Sequence, residues 1–160
     1  MKLKLALAAA SMLIAPAFMT ANAQQSSGVY VSGGYTHFDG DGGAELGAVT
    51  GRVGVNLSPN FAIEGEGSVG VSDDGGTELD NELGVFVVGK MPISPAFDLF
   101  ARVGAARIET SPGGSEDGVA YGAGAQWNLT SVDGIRGDWT RHDYDAGDVD
   151  AFSLSYVRSF

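Results

Sequence analysis

The chain has no cysteine, which excludes disulfides and thiolate metal centres as sources of stability. Basic residues are scarce: nine lysines and arginines face twenty aspartates and glutamates, a formal charge of −11. A nucleic-acid surface needs the opposite sign, so that class of partner is excluded. Histidine occurs only twice and proline five times. No apolar run reaches the ~20 residues of a membrane-spanning helix. Sustained apolar spacing at i, i+3, i+4 and i+7 is also missing beyond the first two dozen residues, which argues against helices there. What is abundant is glycine, 25 residues of it, set among alternating apolar and polar positions.

The first residues read as an export signal. Lys2 and Lys4 give a basic start, Leu5 to Ile14 a short apolar core, and Pro16 a break. Ala21-Asn22-Ala23 then offers the small-x-small pattern at which signal peptidase cuts. Cleavage after Ala23 is expected to divide the chain into a signal peptide, 1–23, and one domain, 24–160. Losing Lys2 and Lys4 makes the mature part more acidic still. An exported domain of this size without disulfides must be held by a large core or by a closed hydrogen-bond network.

Period-two alternation recurs in eight segments: Val29–Phe38, Leu46–Leu57, Phe61–Val71, Glu82–Met91, Phe97–Glu109, Val119–Leu129, Ile135–Tyr144 and Val149–Phe160. Each is ten to thirteen residues long. A tilted transmembrane strand needs ~9–11 residues, whereas strands of soluble proteins usually have ~5–6. Three connections are short and rich in turn formers: Ser58-Pro59-Asn60, Pro92–Ala96 and Thr130–Gly134. The other four, Asp39–Glu45, Ser72–Asn81, Thr110–Gly118 and Asp145–Asp148, read as longer acidic loops. Short turns alternating with longer loops suit an up-and-down barrel with both termini on the periplasmic side. The fold class expected is therefore all-β, an eight-stranded antiparallel transmembrane β-barrel.

The faces separate cleanly in most strands. Val119, Tyr121, Ala123, Ala125, Trp127 and Leu129 share one side; Ala120, Gly122, Gly124, Gln126 and Asn128 share the other. Val49, Val53, Val55 and Leu57 oppose Thr50, Arg52 and Asn56, and Phe61, Ile63, Val69 and Val71 oppose Glu64, Glu66 and Ser68. Phe97, Leu99, Ala101 and Val103 likewise oppose Asp98 and Arg102. Apolar faces are assigned to lipid and polar ones to the lumen. The first strand is mixed on both faces, which leaves its register open; Phe86 and Val88 fall on the luminal face, and Arg158 on the apolar one. The inward charges are then Arg52, Lys90, Arg102 and Arg136 against Glu64, Glu66, Asp98 and Asp138, four of each sign. Eight strands enclose only enough room for side chains, so this set is expected to fill the lumen as ion pairs. A narrow ion path, porin-like, is the alternative for the same residues.

The chain ends in alternation that closes on an aromatic residue, with Phe152, Leu154, Tyr156 and Phe160 on one face. This resembles the signal read by the outer-membrane assembly machinery, although Arg158 stands where an aromatic is usual. Gly28-Val-Tyr-Val-Ser-Gly-Gly-Tyr35 is similar to the first strand of small OmpA/OmpX-type and opacity-protein-like barrels. The resemblance covers Gly28 to Phe160. It implies a monomer in the outer membrane of a Gram-negative cell, contact with membrane lipids and lipopolysaccharide, and a structural or surface-interaction role.

No catalytic, cofactor or metal site is expected. Lipid A deacylases of similar size use a His-x-Ser pair, and neither His37-Phe-Asp nor His142-Asp-Tyr supplies it. Neighbouring strand residues point to opposite faces, so Asp143 cannot orient His142. Asp39-Gly-Asp-Gly-Gly43 starts like a calcium loop, but Gly43 and Thr50 occupy positions that need ligands. The acids of the loops, among them Asp73, Asp74, Glu78, Asp80, Glu116, Asp117, Asp145, Asp148 and Asp150, form a hydrated rim that divalent cations could bridge to lipopolysaccharide. Tyr35, Tyr121, Trp127, Trp139, Tyr156 and Phe160 suit interfacial girdles. The competing architecture is a soluble lipocalin-like barrel with its apolar face inward around a small hydrophobic ligand.

Overall fold

A computed structural model describes residues 28–41, 43, 45–74, 76–111 and 113–160; Ala21 and Ala23 lie outside that set. Eight antiparallel strands follow one another: β1 (Val29–Gly40), β2 (Glu45–Ser58), β3 (Phe61–Gly70), β4 (Thr77–Ser94), β5 (Phe97–Ser111), β6 (Gly114–Asn128), β7 (Asp133–Tyr144) and β8 (Gly147–Ser159). A two-residue strand, Asp73–Asp74, pairs back onto the start of β4. Each long strand pairs with its neighbours in sequence, and β8 pairs with β1, so the sheet closes. Among the described residues there is no helix. The architecture is the eight-stranded up-and-down barrel that the alternation predicts.

The register sets the dimensions. Stepping across paired residues from Val29 through Val55, Ile63, Val87, Val103, Tyr121, Arg141 and Asp150 returns to β1 at Asp39, ten residues further on. Strands of that stagger tilt by about 40° and close on a cylinder about 16 Å across between backbones. Such an interior holds side chains and little else. The outward positions from Val119 in β6 to Leu129 just past its end span ten steps that rise about 25 Å along the axis, the height of an outer-membrane apolar band.

The start of β1 and the C-terminal Phe160 lie at one end, where the Phe160 amide donates to the Val29 carbonyl at 2.8 Å. The turns 59–60, 95–96 and 129–132 share that end. At the opposite, distal end the strands extend further than expected. The segments Ser72–Asn81 and Thr110–Gly118, read as loops, are largely ladder, and Asp145–Asp148 shrinks to a two-residue turn. Loop length therefore does not distinguish the ends. Above the apolar band both faces of a strand can be polar, so the alternation fades while backbone pairing continues. Gly114, at a φ of 92°, allows the sharp β5–β6 hairpin. A register shift between Leu79 and Asn81 reverses the side-chain parity of β4 and turns Leu79 into the barrel.

The structure settles the first strand: Tyr30, Ser32, Thr36 and Phe38 point inward, and Tyr35 points out. Phe86 and Val88 are buried as assigned, and Arg158 lies outside, paired with Asp133 at 2.9 Å. Trp127 is 55% exposed while Arg102 is 2% exposed. A soluble lipocalin-like barrel would reverse both, so that alternative is overturned.

Glycine placement shows how tightly the wall is wound. A Cβ at luminal Gly104 would stand 1.9 Å from the Val85 carbonyl oxygen, whereas one at outward Gly51 would meet nothing within 4 Å. Gly104→Ala should therefore lower unfolding stability by about 1–3 kcal/mol or more, and Gly51→Ala by less than about 0.5 kcal/mol. Urea titration read by the heat-modifiable gel shift measures both; equal effects would contradict the packing described.

Candidate functional site

Alternation carries one or two charged side chains from each of four strands into a common layer. Arg52 from β2, Glu64 and Glu66 from β3, Arg102 from β5, and Arg136 and Asp138 from β7 meet across the barrel. Their side chains are at most 4% exposed. Arg52 pairs with Glu66 through Nε and reaches both Asp138 oxygens at 3.1 Å. Arg102 Nη1 donates to Glu66 Oε2 at 2.8 Å and lies 3.6 Å from Asp138 Oδ2; its Nη2 lies 3.6 Å from Glu64 Oε1. Arg136 donates to Glu64 Oε2 at 2.6 Å and to Asp138 Oδ1 at 3.3 Å, and the Tyr30 hydroxyl donates to Glu64 at 2.8 Å. Three guanidinium groups thus face three carboxylates.

Aromatic rings complete the shell. The Arg102 guanidinium carbon stands 3.5 Å from the Phe86 ring centroid, and that of Arg136 stands 4.0 Å from the Phe100 centroid. Arginine suits such a place because its planar fork satisfies several acceptors while its face stacks on a ring.

Lys90 and Asp98 do not join this layer. They flank the turn at 95–96, so the chain itself holds them near the end that carries the termini. Lys90 Nζ donates to Asn56 at 2.6 Å and sits 4.4 Å from the Tyr30 ring centroid, while Asp98 accepts from Asn128 at 2.8 Å. Phe152, Leu154, Tyr156 and Phe160 are all exposed on the outer face of β8 and just beyond it.

Toward the distal end a chain of hydroxyls continues the network. Arg52 donates to Ser153 at 3.1 Å; Ser153 meets Thr36 at 2.7 Å, Thr36 meets Thr50 at 2.7 Å, Thr50 meets Ser68 at 2.8 Å, and Ser68 donates to Glu82 at 2.8 Å. Each hydroxyl has one hydrogen, and Ser68 spends its own on Glu82, so all donate in that direction. Glu82 and His142 were absent from the set of inward charges read from sequence. Their parity, shared with Phe86 and with Arg136 respectively, marks them as luminal. Above them Phe38, Leu46, Leu79, Ile108 and Tyr144 fill the bore with apolar groups.

Outside the distal end the band gives way to charge. Arg107 makes two 2.6 Å hydrogen bonds to Asp117, which hold that carboxyl below its ordinary range, and Arg141 pairs with Asp150 at 2.7 Å. Asp39, Glu45, Glu109 and Asp143 are exposed at the same level.

A closed, eight-stranded barrel with an apolar exterior, a charged interior and its first and last strands paired is a transmembrane barrel of the outer-membrane class. Residues 5–160 match the family model described as outer membrane protein beta-barrel domain, and the chain belongs to that family. The N-terminal barrel of OprF from Pseudomonas aeruginosa superposes with a TM-score of 0.67 at 14% identity, covering 85% of this chain and 98% of that one. Ail, the attachment invasion locus protein of Yersinia pestis, solved with the heparin analogue sucrose octasulfate, gives 0.62 at 17% identity, covering 85% and 100%. Neisserial surface protein A gives 0.62 at 12% identity, covering 85% and 98%. At these identities the likeness is one of fold. No curated protein matches the chain.

Removing one charge from the central layer leaves its partners buried and unbalanced. Arg102→Met should cost about 3–5 kcal/mol of unfolding stability. Lys90→Met, outside the layer, should cost about 1 kcal/mol, the worth of one hydrogen bond. Equal losses in urea unfolding of the two variants would contradict the division between them.

Proposed function

We propose that the protein is a sealed structural barrel of the outer membrane whose acidic distal rim is its working surface. The observation that carries this reading is the central layer: three arginines and three carboxylates cross the bore with at most 4% of any side chain exposed. An ion moving through would have to part pairs that replace one another's hydration, and the apolar plug above would then strip its water. The distal rim faces the outside of the cell, and the termini face the periplasm. The signal peptide ends at Ala23, and the assembly machinery reads Phe152, Leu154, Tyr156 and Phe160 on the last strand. The barrel works as a single copy, and its closed sheet leaves no edge on which a second chain could add a strand.

The rim selects its partners by charge. Ail binds a polysulfate, whereas Asp39, Glu45, Glu109 and Asp143 present carboxylates that repel one. Cations attracted to this rim bridge it to the anionic head groups of lipopolysaccharide. Catalysis is not part of this reading: His142 lies inside the plugged lumen, and His37, on the outer face of β1, is followed by Phe38 and Asp39 and so lacks the serine of a His-x-Ser pair.

Planar-bilayer recording of the purified barrel tests the seal. No ohmic step above the bare-bilayer baseline is expected in 1 M salt, even at the highest voltage the bilayer tolerates. Steady single-channel conductance that disappears when the barrel is heat-denatured would overturn the sealed reading in favour of a narrow channel.

A further inference from the structure

Glu66, Glu82 and His142 each place one ligand atom such that all three lie within 4.8 Å of one another, and all three residues are buried. Burial is deep: Glu82 is 0% exposed and His142 is 1% exposed. Glu82 Oε1 and both imidazole nitrogens of His142 have no hydrogen-bond partner. Nine buried polar atoms of the described residues lack such a partner, and of these Glu82 Oε1 and His142 Nε2 face each other.

The spacing narrows the choice. His142 Nε2 and Glu82 Oε1 are 3.6 Å apart. That is too long for the hydrogen bond an imidazolium would donate, whose usual length is ~2.7–3.2 Å. A bridging water with arms of ~2.8 Å would have to bend to about 80°. Two metal bonds of ~2.1 Å span the same gap at about 118°, close to a tetrahedral angle. Glu66 spends Oε2 on Arg52 and Arg102, which leaves Oε1 to turn inward.

The neighbours support the ligands. Ser68 holds Glu82 by Oε2 at the end of the hydroxyl chain, so Oε1 remains the free acceptor. The imidazole packs against Phe38 at 6.1 Å and Tyr144 at 5.8 Å between ring centroids, contacts that leave the ring edge available. Charge agrees as well. The central layer is balanced by itself, so Glu82 is a surplus buried carboxylate beside a histidine, and it gains from a cation. One imidazole with two carboxylates suits a divalent first-row ion such as zinc, manganese or iron.

We propose that Glu66, Glu82 and His142 form a luminal site for one divalent transition-metal ion, seated between the central charge layer and the apolar plug. The plug closes the distal route, so the ion is taken up while the barrel folds and is then trapped. This goes beyond the sealed-barrel reading, and metal content and conductance report on the two separately.

The test uses the protein purified from outer membranes in detergent, unfolded in urea and refolded with zinc or cobalt. Metal per folded barrel is counted by mass spectrometry after gel filtration and a chelator wash. One ion per barrel is expected, resistant to the chelator until the barrel is unfolded. It should fall to background in His142→Gln and in Glu82→Gln, and stay unchanged in Asp150→Asn at the rim. Should either luminal variant fail to reach the heat-modifiable folded form, the cobalt-loaded wild type decides through its paramagnetically shifted imidazole protons. No stoichiometric metal in the folded wild type would overturn the proposal. So would removal of the ion from the folded barrel by chelator, the mark of a rim site, or retention of the ion by the two luminal variants. Imidazole protons of His142 without a paramagnetic shift in the cobalt-treated folded barrel would also overturn it, in favour of a simple His142–Glu82 ion pair.

Discussion

In hydrocarbon a backbone N–H or C=O without a partner costs several kcal/mol, and a strand carries one of each at every residue. Everything else in this molecule follows from meeting that demand with a sheet. Eight strands satisfy it only if β8 returns to β1, as it does along the pairs from Tyr30↔Ser159 to Gly40↔Val149. Closure with a ten-residue stagger fixes tilt and radius, and these in turn fix the volume of the lumen. The glycines on the luminal face belong to the same constraint. At Gly104 the neighbouring strand comes so close that no side chain fits.

The lumen inherits whatever the alternation turns inward. In a soluble barrel that would be the apolar set. Here lipid claims the apolar set, and the bore must hold polar groups away from bulk water. Isolated charges in such a place would be prohibitive, and the chain avoids them by matching three arginines to three carboxylates contributed by four strands. Phe86 and Phe100 occupy the space between the guanidinium groups and the wall. Toward the distal end, where the barrel leaves the membrane, apolar residues can again turn inward, and the bore is plugged by Phe38, Leu46, Leu79, Ile108 and Tyr144.

Much of this was legible in the sequence, because a period of two is a strict code for which side of a sheet a residue faces. Trp127 outside and Arg102 inside followed directly from it. Where both faces turn polar, beyond the apolar band, the code carries no signal, and so 77–81 and 114–118 read as loops. The bulge at Leu79 also lies beyond its reach, since one inserted residue reverses parity without altering composition. Height along the barrel is set by register across strands, which alternation does not reveal. That is why Lys90 and Asp98 were grouped with the central layer, although their nearness to the turn at 95–96 places them apart. Glu82 and His142 are sixty residues apart in the chain and meet only through the same register.

The central claim is that the interior charges act as one mutually neutralising layer imposed by closure. A double-mutant cycle between Arg52 and Asp138 tests it most directly, because the two residues are 86 apart in sequence and meet only across the closed barrel. Unfolding free energies of Arg52→Met, Asp138→Asn and the double variant should give a coupling of at least about 1.5 kcal/mol. Additivity within about 0.5 kcal/mol would contradict the account and reduce the layer to separate charges that happen to share a lumen.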